Sequence, residues 1–375
     1  MRAGSDMEWG SRGKEWKKMR FQATEQNVKV TGRTLFVEGT RYLGYSGSSI
    51  TFSFVGKKAE AAIWSDADAW GEDGKGYIAI YVNGSVEPVK RICLNATEDV
   101  YTLYESDKEE NVTITIMKYS EVRFGHCGIR YLEIDTEKLC PPPVAGKRRM
   151  EIVADSITCG YSVESENELQ PFQTVLENPT KSYSLLTARA LGAEVNLVSW
   201  SGNGILSSYV DETATAPSDA CLMPKVYRYT DIAGSEKLFG EDESKWERWD
   251  FSRFEPDIIL VNLGTNDSSW CKDIPERKDQ FRDRYVAFIQ DIRQDNPKAQ
   301  ILCILGTMDQ RLVEKVDEAV KRFSEEQKDE MVYFLALPLQ KEEDGYAGQF
   351  HPTALTHKKT AEIVVAEVKR IMKWQ

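Results

Sequence analysis

Apolar and polar positions alternate in short runs between about residues 28 and 135, and no stretch there keeps a helical period. Alternation is plainest in Ile50-Thr51-Phe52-Ser53-Phe54 and Val112-Thr113-Ile114-Thr115-Ile116, the mark of strands with one buried face. The pattern predicts strands at 34–37, 49–55, 59–64, 77–82, 90–94, 100–104, 112–117 and 130–134, with Asn83-Gly84 closing one of them in a tight hairpin. About eight strands with frequent turns predict a β-sandwich of jelly-roll type.

The pattern changes at Cys140-Pro141-Pro142-Pro143-Val144-Ala145-Gly146. Three consecutive prolines fit neither a helix interior nor a central strand, so this is a stiff connector. Beyond it, β-branched runs at 150–154, 194–198, 257–263, 300–305 and 331–337 alternate with helical periods. Asn178-Pro179 predicts a capped helix running to Leu191 and stopped by Gly192. Phe281, Tyr285, Phe288, Ile289 and Ile292 share one stripe of another. Further helices are expected at 313–323 and 353–372. Strand-then-helix repetition predicts an α/β domain, a doubly wound parallel sheet with helices on both faces. The stretch 207–253 lacks periodicity and is expected to be a surface insertion with one short helix. The predicted division is a polar extension at 1–27, the β-sandwich at 28–138, a linker at 139–148 and the α/β domain at 149–375.

Composition narrows what such a protein binds. The chain has 375 residues and a net charge of −12, from 60 acidic against 48 basic residues. That field repels nucleic acid and anionic membranes, so neither is an expected partner. No apolar run reaches the roughly 18 residues of a membrane span. Residues 1–20 show no secretory pattern, which predicts a cytoplasmic protein, or a secreted one if the N-terminus was trimmed. The 7 cysteines have no paired spacing and read as free thiols.

In a doubly wound sheet the ligand crevice lies at the carboxyl ends of the strands. Asp155-Ser156 follows the first predicted strand, Trp200-Ser201-Gly202-Asn203-Gly204 the second, Gly264-Thr265-Asn266-Asp267 the third, and Gly348-Gln349-Phe350-His351-Pro352 the fifth. A hydroxyl, a glycine loop, an amide and an imidazole are the parts acyl transfer needs. It calls for no metal and no cofactor. Of the 3 histidines, His126 belongs to the β-sandwich, where a structural hydrogen bond is expected, and His357 is expected on a solvated helix face. His351 alone stands at a strand end of the α/β domain.

Asp155-Ser156-Ile157-Thr158, Gly202, Gly264-Thr265-Asn266-Asp267 and His351-Pro352, in that order, resemble the four blocks of the SGNH (GDSL-like) hydrolases. The N-terminal jelly roll, the run from Ser156 to Tyr161 and the aromatic residue before the histidine resemble carbohydrate esterase family 2 more narrowly. Members of that family remove acetyl groups from plant-wall polysaccharides. The resemblance implies Ser156 as nucleophile and His351 as general base. It implies an oxyanion hole made by the N–H groups of Ser156 and Gly202 and the side-chain amide of Asn266, and an acetylated oligosaccharide as substrate.

Two positions depart from the superfamily pattern. Ala154 stands where a glycine usually precedes Asp-Ser. Gly348 stands where an aspartate three residues before the histidine usually completes a triad, which agrees with the dyad for which family 2 is known. Asp344, in the same loop, is a poor substitute for that aspartate. Phe350, Trp270 and Tyr161 are the expected sugar-stacking residues. A lipid esterase or thioesterase on the same scaffold would need an apolar acyl channel, and a carbohydrate-binding protein with decayed machinery would leave acetyl esters untouched.

Overall fold

The computed structural model describes residues 18–375. The first domain is built from β1 (Met19–Phe21), β2 (Lys29–Thr31), β3 (Thr34–Val37), β4 (Thr40–Leu43), β5 (Ser49–Ser65), β6 (Tyr77–Val82), β7 (Lys90–Cys93), β8 (Glu98–Lys118) and β9 (Cys127–Ile134). All pair antiparallel in the order β3-β4-β9-β5-β8-β6-β7, with β1 on β9 and β2 on β5. β5 and β8 pair along nearly their whole length, with irregularities at Gly56/Lys58 and Ala59/Glu60. Their outer halves belong to different layers. The first half of β5 pairs with β2 and the second half of β8, and its second half pairs with β9 and the first half of β8. Ile50, Phe52, Ile78, Ile114 and Ile116 from one layer and Ala61, Ile63, Ile129 and Leu132 from the other meet in one core. The result is the jelly-roll-like sandwich that the alternation predicts. The predicted breaks at 56–58 and 105–111 are a bulge and a continuous strand, because bulges bend a strand without ending it.

The domain also begins earlier than expected. Met19–Phe21 pairs with Leu132 to Ile134 and Ala23 is fully buried, so part of the predicted polar extension is a strand of the sandwich; residues 1–17 lie outside the described residues.

The second domain carries β10 (Arg148–Ala154), β11 (Ala193–Ser199), β12 (Ile258–Asn262), β13 (Gln300–Leu305) and β14 (Val332–Ala336), all parallel in the order β11-β10-β12-β13-β14. The helices are α1 (Ser156–Cys159), α2 (Tyr183–Leu191), α3 (Met223–Tyr227), α4 (Ile232–Phe239), α5 (Asp267–Cys271), α6 (Pro275–Asp295), α7 (Val313–Gln327) and α8 (Ala354–Met372). Period-two geometry sorts the strand residues between two cores. Val153, Val198, Ile259, Val261, Ile301 and Cys303 face α6 and α7. Ile152, Leu197, Ile258, Leu260, Leu302 and Ile304 face α2 and α8. The direction in which successive strands are added reverses at β10, which places the crevice at the carboxyl ends of β10 and β12.

Two expectations need correction. The helix predicted from Asn178 is a single 3₁₀ turn at Pro179–Lys181, and α2 starts afresh on its own N-cap, Ser182. The stretch 207–253 is no surface insertion: Met223, Val226, Tyr227, Tyr229 and Ile232 are buried in the α/β core. Its elements are too short for a helical period to register. The α/β core covers them from one side, and Tyr45 and Val122 of the sandwich join the same cluster. Arg33, fully buried, donates to the carbonyls of Tyr227 (2.6 Å) and Tyr229 (3.2 Å) and to Glu151 on β10 (3.0 Å).

Candidate active site

Ser156 is the first residue of α1. Asp155 is the N-cap, its Oδ1 accepting the Ile157 N–H at 3.1 Å, which fixes how the chain turns from strand into helix. Gly160 ends the helix at φ +74°, where a Cβ would stand 2.3 Å from the Asn178 carbonyl oxygen. The serine is therefore held between a cap and a close backbone contact.

His351 reaches it from the connection between β14 and α8. Its Nε2 lies 2.9 Å from Ser156 Oγ and its Nδ1 3.2 Å from the Gly348 carbonyl. A carbonyl oxygen only accepts, so Nδ1 carries the hydrogen and Nε2 turns its lone pair to the serine hydroxyl. Burial lowers the imidazole pKa to about 4, against the opposing pull of the backbone carbonyls. At neutral pH the ring is uncharged and able to take a proton. Asp344 is turned away, paired with Lys359 at 2.6 and 2.8 Å. The loop before the histidine is strained instead of charged: Gln349 (φ 55°) and Phe350 (φ 59°) are both left-handed.

The glycine loop after β11 carries Gly202 at φ +81°, with no atom nearer its Cβ position than Arg123 Nη1 at 3.9 Å. Glycine is required there by backbone conformation, not by crowding. Asn266 Nδ2 donates to the Asn203 carbonyl at 3.0 Å and to Asp155 Oδ2 at 3.3 Å, bridging the glycine and serine loops. Asp267 completes this frame. Fully buried, it accepts the N–H groups of Ile205, Leu206 and Ser207, the shortest at 2.7 Å, while burial raises its pKa to about 6. Burial likewise raises Asp155 to about 7. Asp267 was legible as part of its four-residue block, but its partners were not.

The stacking residues fare unevenly. Phe350 is 54% exposed beside the histidine and remains available to a ligand. Trp270, 7% exposed, is a core residue with Arg277 3.6 Å over its ring, and offers no sugar platform; apolar packing at α5 outweighs its proximity in sequence to Asn266. Tyr161 is also not an open platform. Its ring lies 4.4 Å from His351 and 4.1 Å from Phe172, so both faces are covered, and its hydroxyl donates to Gln349 at 2.9 Å. It braces the histidine. Beyond Phe172 the aromatic wall continues through Phe124 (4.9 Å) to Trp70 (5.4 Å) of the sandwich, residues that no local motif marks.

His126 bonds Asp66 at 2.9 Å, as a structural histidine would. His357 contradicts its expected solvated position. It is buried and accepts the Tyr183 N–H at 3.1 Å, because its face of α8 packs on α2. Among the described residues, the one trio with a metal-ligating donor set is Glu121, Cys159 and Glu177, all buried. A groove of about 490 Å³ between the domains, lined by Lys29, Arg149, Glu194 and Arg253, opens at the amino ends of β10 and β11, away from Ser156.

A strand-end serine, a neutral histidine on its hydroxyl and a glycine-asparagine frame beside them form an arrangement suited to acyl transfer on an α/β fold. The chain belongs to the GDSL-like Lipase/Acylhydrolase family, which residues 155–359 match, and residues 30–143 match the Carbohydrate esterase 2 N-terminal domain. It is 30% identical over 334 residues to Cellulase/esterase CelE of Acetivibrio thermocellus, covering 88% of this chain and 38% of that one. It is 25% identical over 358 residues to an Acetylxylan esterase / glucomannan deacetylase of Cellvibrio japonicus, covering 94% and 91%. The chain thus spans well under half of CelE and nearly all of the Cellvibrio protein. A family two carbohydrate esterase from Clostridium thermocellum, solved in complex with cellohexaose, superposes with a TM-score of 0.80 at 29% identity, over 93% of this chain and 100% of that one.

Proposed function

We propose that this protein is a serine esterase that removes O-acetyl groups from acetylated plant-wall oligosaccharides of the xylan, mannan or glucomannan type, using Ser156 and His351 as a dyad. The observation that carries the reading is the 2.9 Å contact between His351 Nε2 and Ser156 Oγ, with Nδ1 occupied by a carbonyl. The relatives named for acetylxylan and glucomannan deacetylation support the substrate class.

In this reading Ser156 Oγ attacks the acetyl carbonyl carbon as its proton passes to His351 Nε2. The developing oxyanion accepts from the N–H groups of Ser156 and Gly202 and from the Asn266 amide, which gives up its longer contact to Asp155. Collapse expels the sugar oxygen, protonated from Nε2. Water, deprotonated by the same nitrogen, then releases acetate from acetyl-Ser156. The Gly348 carbonyl holds the tautomer but brings no negative charge, so it stabilises the imidazolium less than a carboxylate would.

The test is acetate release from acetylated xylan and glucomannan oligosaccharides. Ser156→Ala is expected to abolish it while the melting temperature stays within a few degrees; retained activity overturns the proposal.

A further inference from the structure

The glycine loop is not held by its own domain alone. After β8 the chain of the sandwich enters the α/β domain, burying Val122 in the latter's core. Its shape is set by Lys118, a fully buried lysine that donates to three carbonyls of the same loop, Ser120 (2.8 Å), Glu121 (2.7 Å) and Phe124 (3.2 Å). Thus held, the fully buried Glu121 accepts the Ser201 N–H at 2.8 Å through Oε2. Ser201 precedes Gly202.

A second carboxyl group supports the first. Glu177, fully buried, accepts the backbone N–H of Glu121 at 3.0 Å. Its neighbour Asn178 donates to the Gly160 carbonyl at the end of α1 (3.2 Å). Cys159 of α1 donates weakly to Glu121 Oε2 (3.8 Å). Glu121 Oε1 and Glu177 Oε1 are buried and have no donor, and one oxygen of each acid and the Cys159 sulfur lie within 4.8 Å of one another. Burial pushes both acids above the ordinary carboxylate range, and at Glu177 the repulsion of Glu121 adds to it. Two buried carboxyl groups this close resist ionising together.

We propose that Glu121 is the positioning residue of the oxyanion loop: its carboxyl group, delivered by the N-terminal domain, grips the Ser201 N–H and so fixes the peptide that presents the Gly202 N–H. The inference rests on the assignment of Gly202 to the oxyanion hole made above. It gives the sandwich a part in catalysis without contact to the reacting atoms. Removing the grip frees the loop to rotate, which weakens transition-state stabilisation while leaving ground-state binding alone.

The experiment compares full-length wild type with Glu121→Ala, Glu121→Asp and Glu121→Gln, using kcat and KM on 4-nitrophenyl acetate, labelling of Ser156 by a fluorophosphonate, and thermal unfolding. Loss of one oxyanion donor costs about 10²–10³ in kcat. Glu121→Ala is therefore expected to lose about 100-fold in kcat with KM changed less than twofold. Glu121→Asp, one methylene too short, should lose about 10-fold. The amide of Glu121→Gln accepts the Ser201 N–H and supplies its own hydrogen toward Glu177, so it should bring kcat back to within fivefold of wild type. If the alanine variant does not fold, the aspartate variant is read in its place. A kcat within threefold of wild type in either, a loss confined to KM, or a glutamine variant as impaired as the alanine one overturns the proposal. A wild type inert to both the acetate ester and the fluorophosphonate overturns the esterase reading instead.

Discussion

His351 bonds a carbonyl where an acid is usual, and burial sets its titration. With burial holding its pKa near 4, the base form is lost only as pH falls through about 4. We expect the acid limb of kcat/KM on an aryl acetate to lie well below the 6.5 of a free imidazole; a limb near 6.5 would contradict this. Asp344→Ala, which breaks the pair with Lys359, should change kcat less than threefold, whereas His351→Ala should cost at least 10³-fold on the same assay. His357 has a different role. Buried, with its pKa pushed down to about 3, it refuses a proton that the unfolded chain accepts below about 6.5. Its stabilising share is complete above that pH and is lost as pH falls toward 3. Urea titrations of wild type and His357→Gln at pH 7 and pH 5 should show a smaller acid-side loss in the variant.

At the scale of the element, two glycines end helices in the same left-handed conformation but under different constraints. Gly160 (φ +74°) would put a Cβ 2.3 Å from a backbone oxygen, whereas Gly192 (φ +60°) has no atom within 4 Å. Gly192→Ala should cost only the conformational term, about 1 kcal/mol. Gly160→Ala must also move the Asn178 carbonyl, and should cost about 3 kcal/mol or more and reduce activity, since the displaced backbone supports α1 and its serine. Urea midpoints for the two variants make the comparison; equal losses would show that the 177–178 loop yields freely.

For the whole molecule, the decisive question is how two domains of opposite class behave as one. Arg33 of the sandwich and Glu151 of β10 form a fully buried pair at 3.0 Å, with the guanidinium 4.8 Å from the rings of Tyr227 and Trp249. Removing one partner strands a buried charge, and Arg33→Ala should cost about 3–5 kcal/mol. Replacing both, as Arg33→Met with Glu151→Leu, should recover most of that loss. Chemical unfolding followed by tryptophan fluorescence distinguishes these outcomes, and a double variant no more stable than Arg33→Ala would show that the pair's other hydrogen bonds dominate.

Much of this was legible locally. Alternation along Ile50 to Phe54 and the apolar run of β12 depend on neighbours two positions away, and capping at Asp155 on a residue two positions on. Sequence alone therefore determined both fold classes, the parallel sheet, and the strand ends followed by Ser156, Gly202 and Asn266, whereas His351 lies in the long connection from β14 to α8. The tertiary structure decided what surrounds them. Glu121 and Ser201 are 80 residues apart, Arg33 and Glu151 118, and Tyr161 and Gln349 188. A glutamate bound for a buried carboxyl pair looks like any other in sequence, and Trp270 looks equally suited to a sugar or a core. Such pairings follow from how the two domains close on one another, and only chain folding brings those residues together.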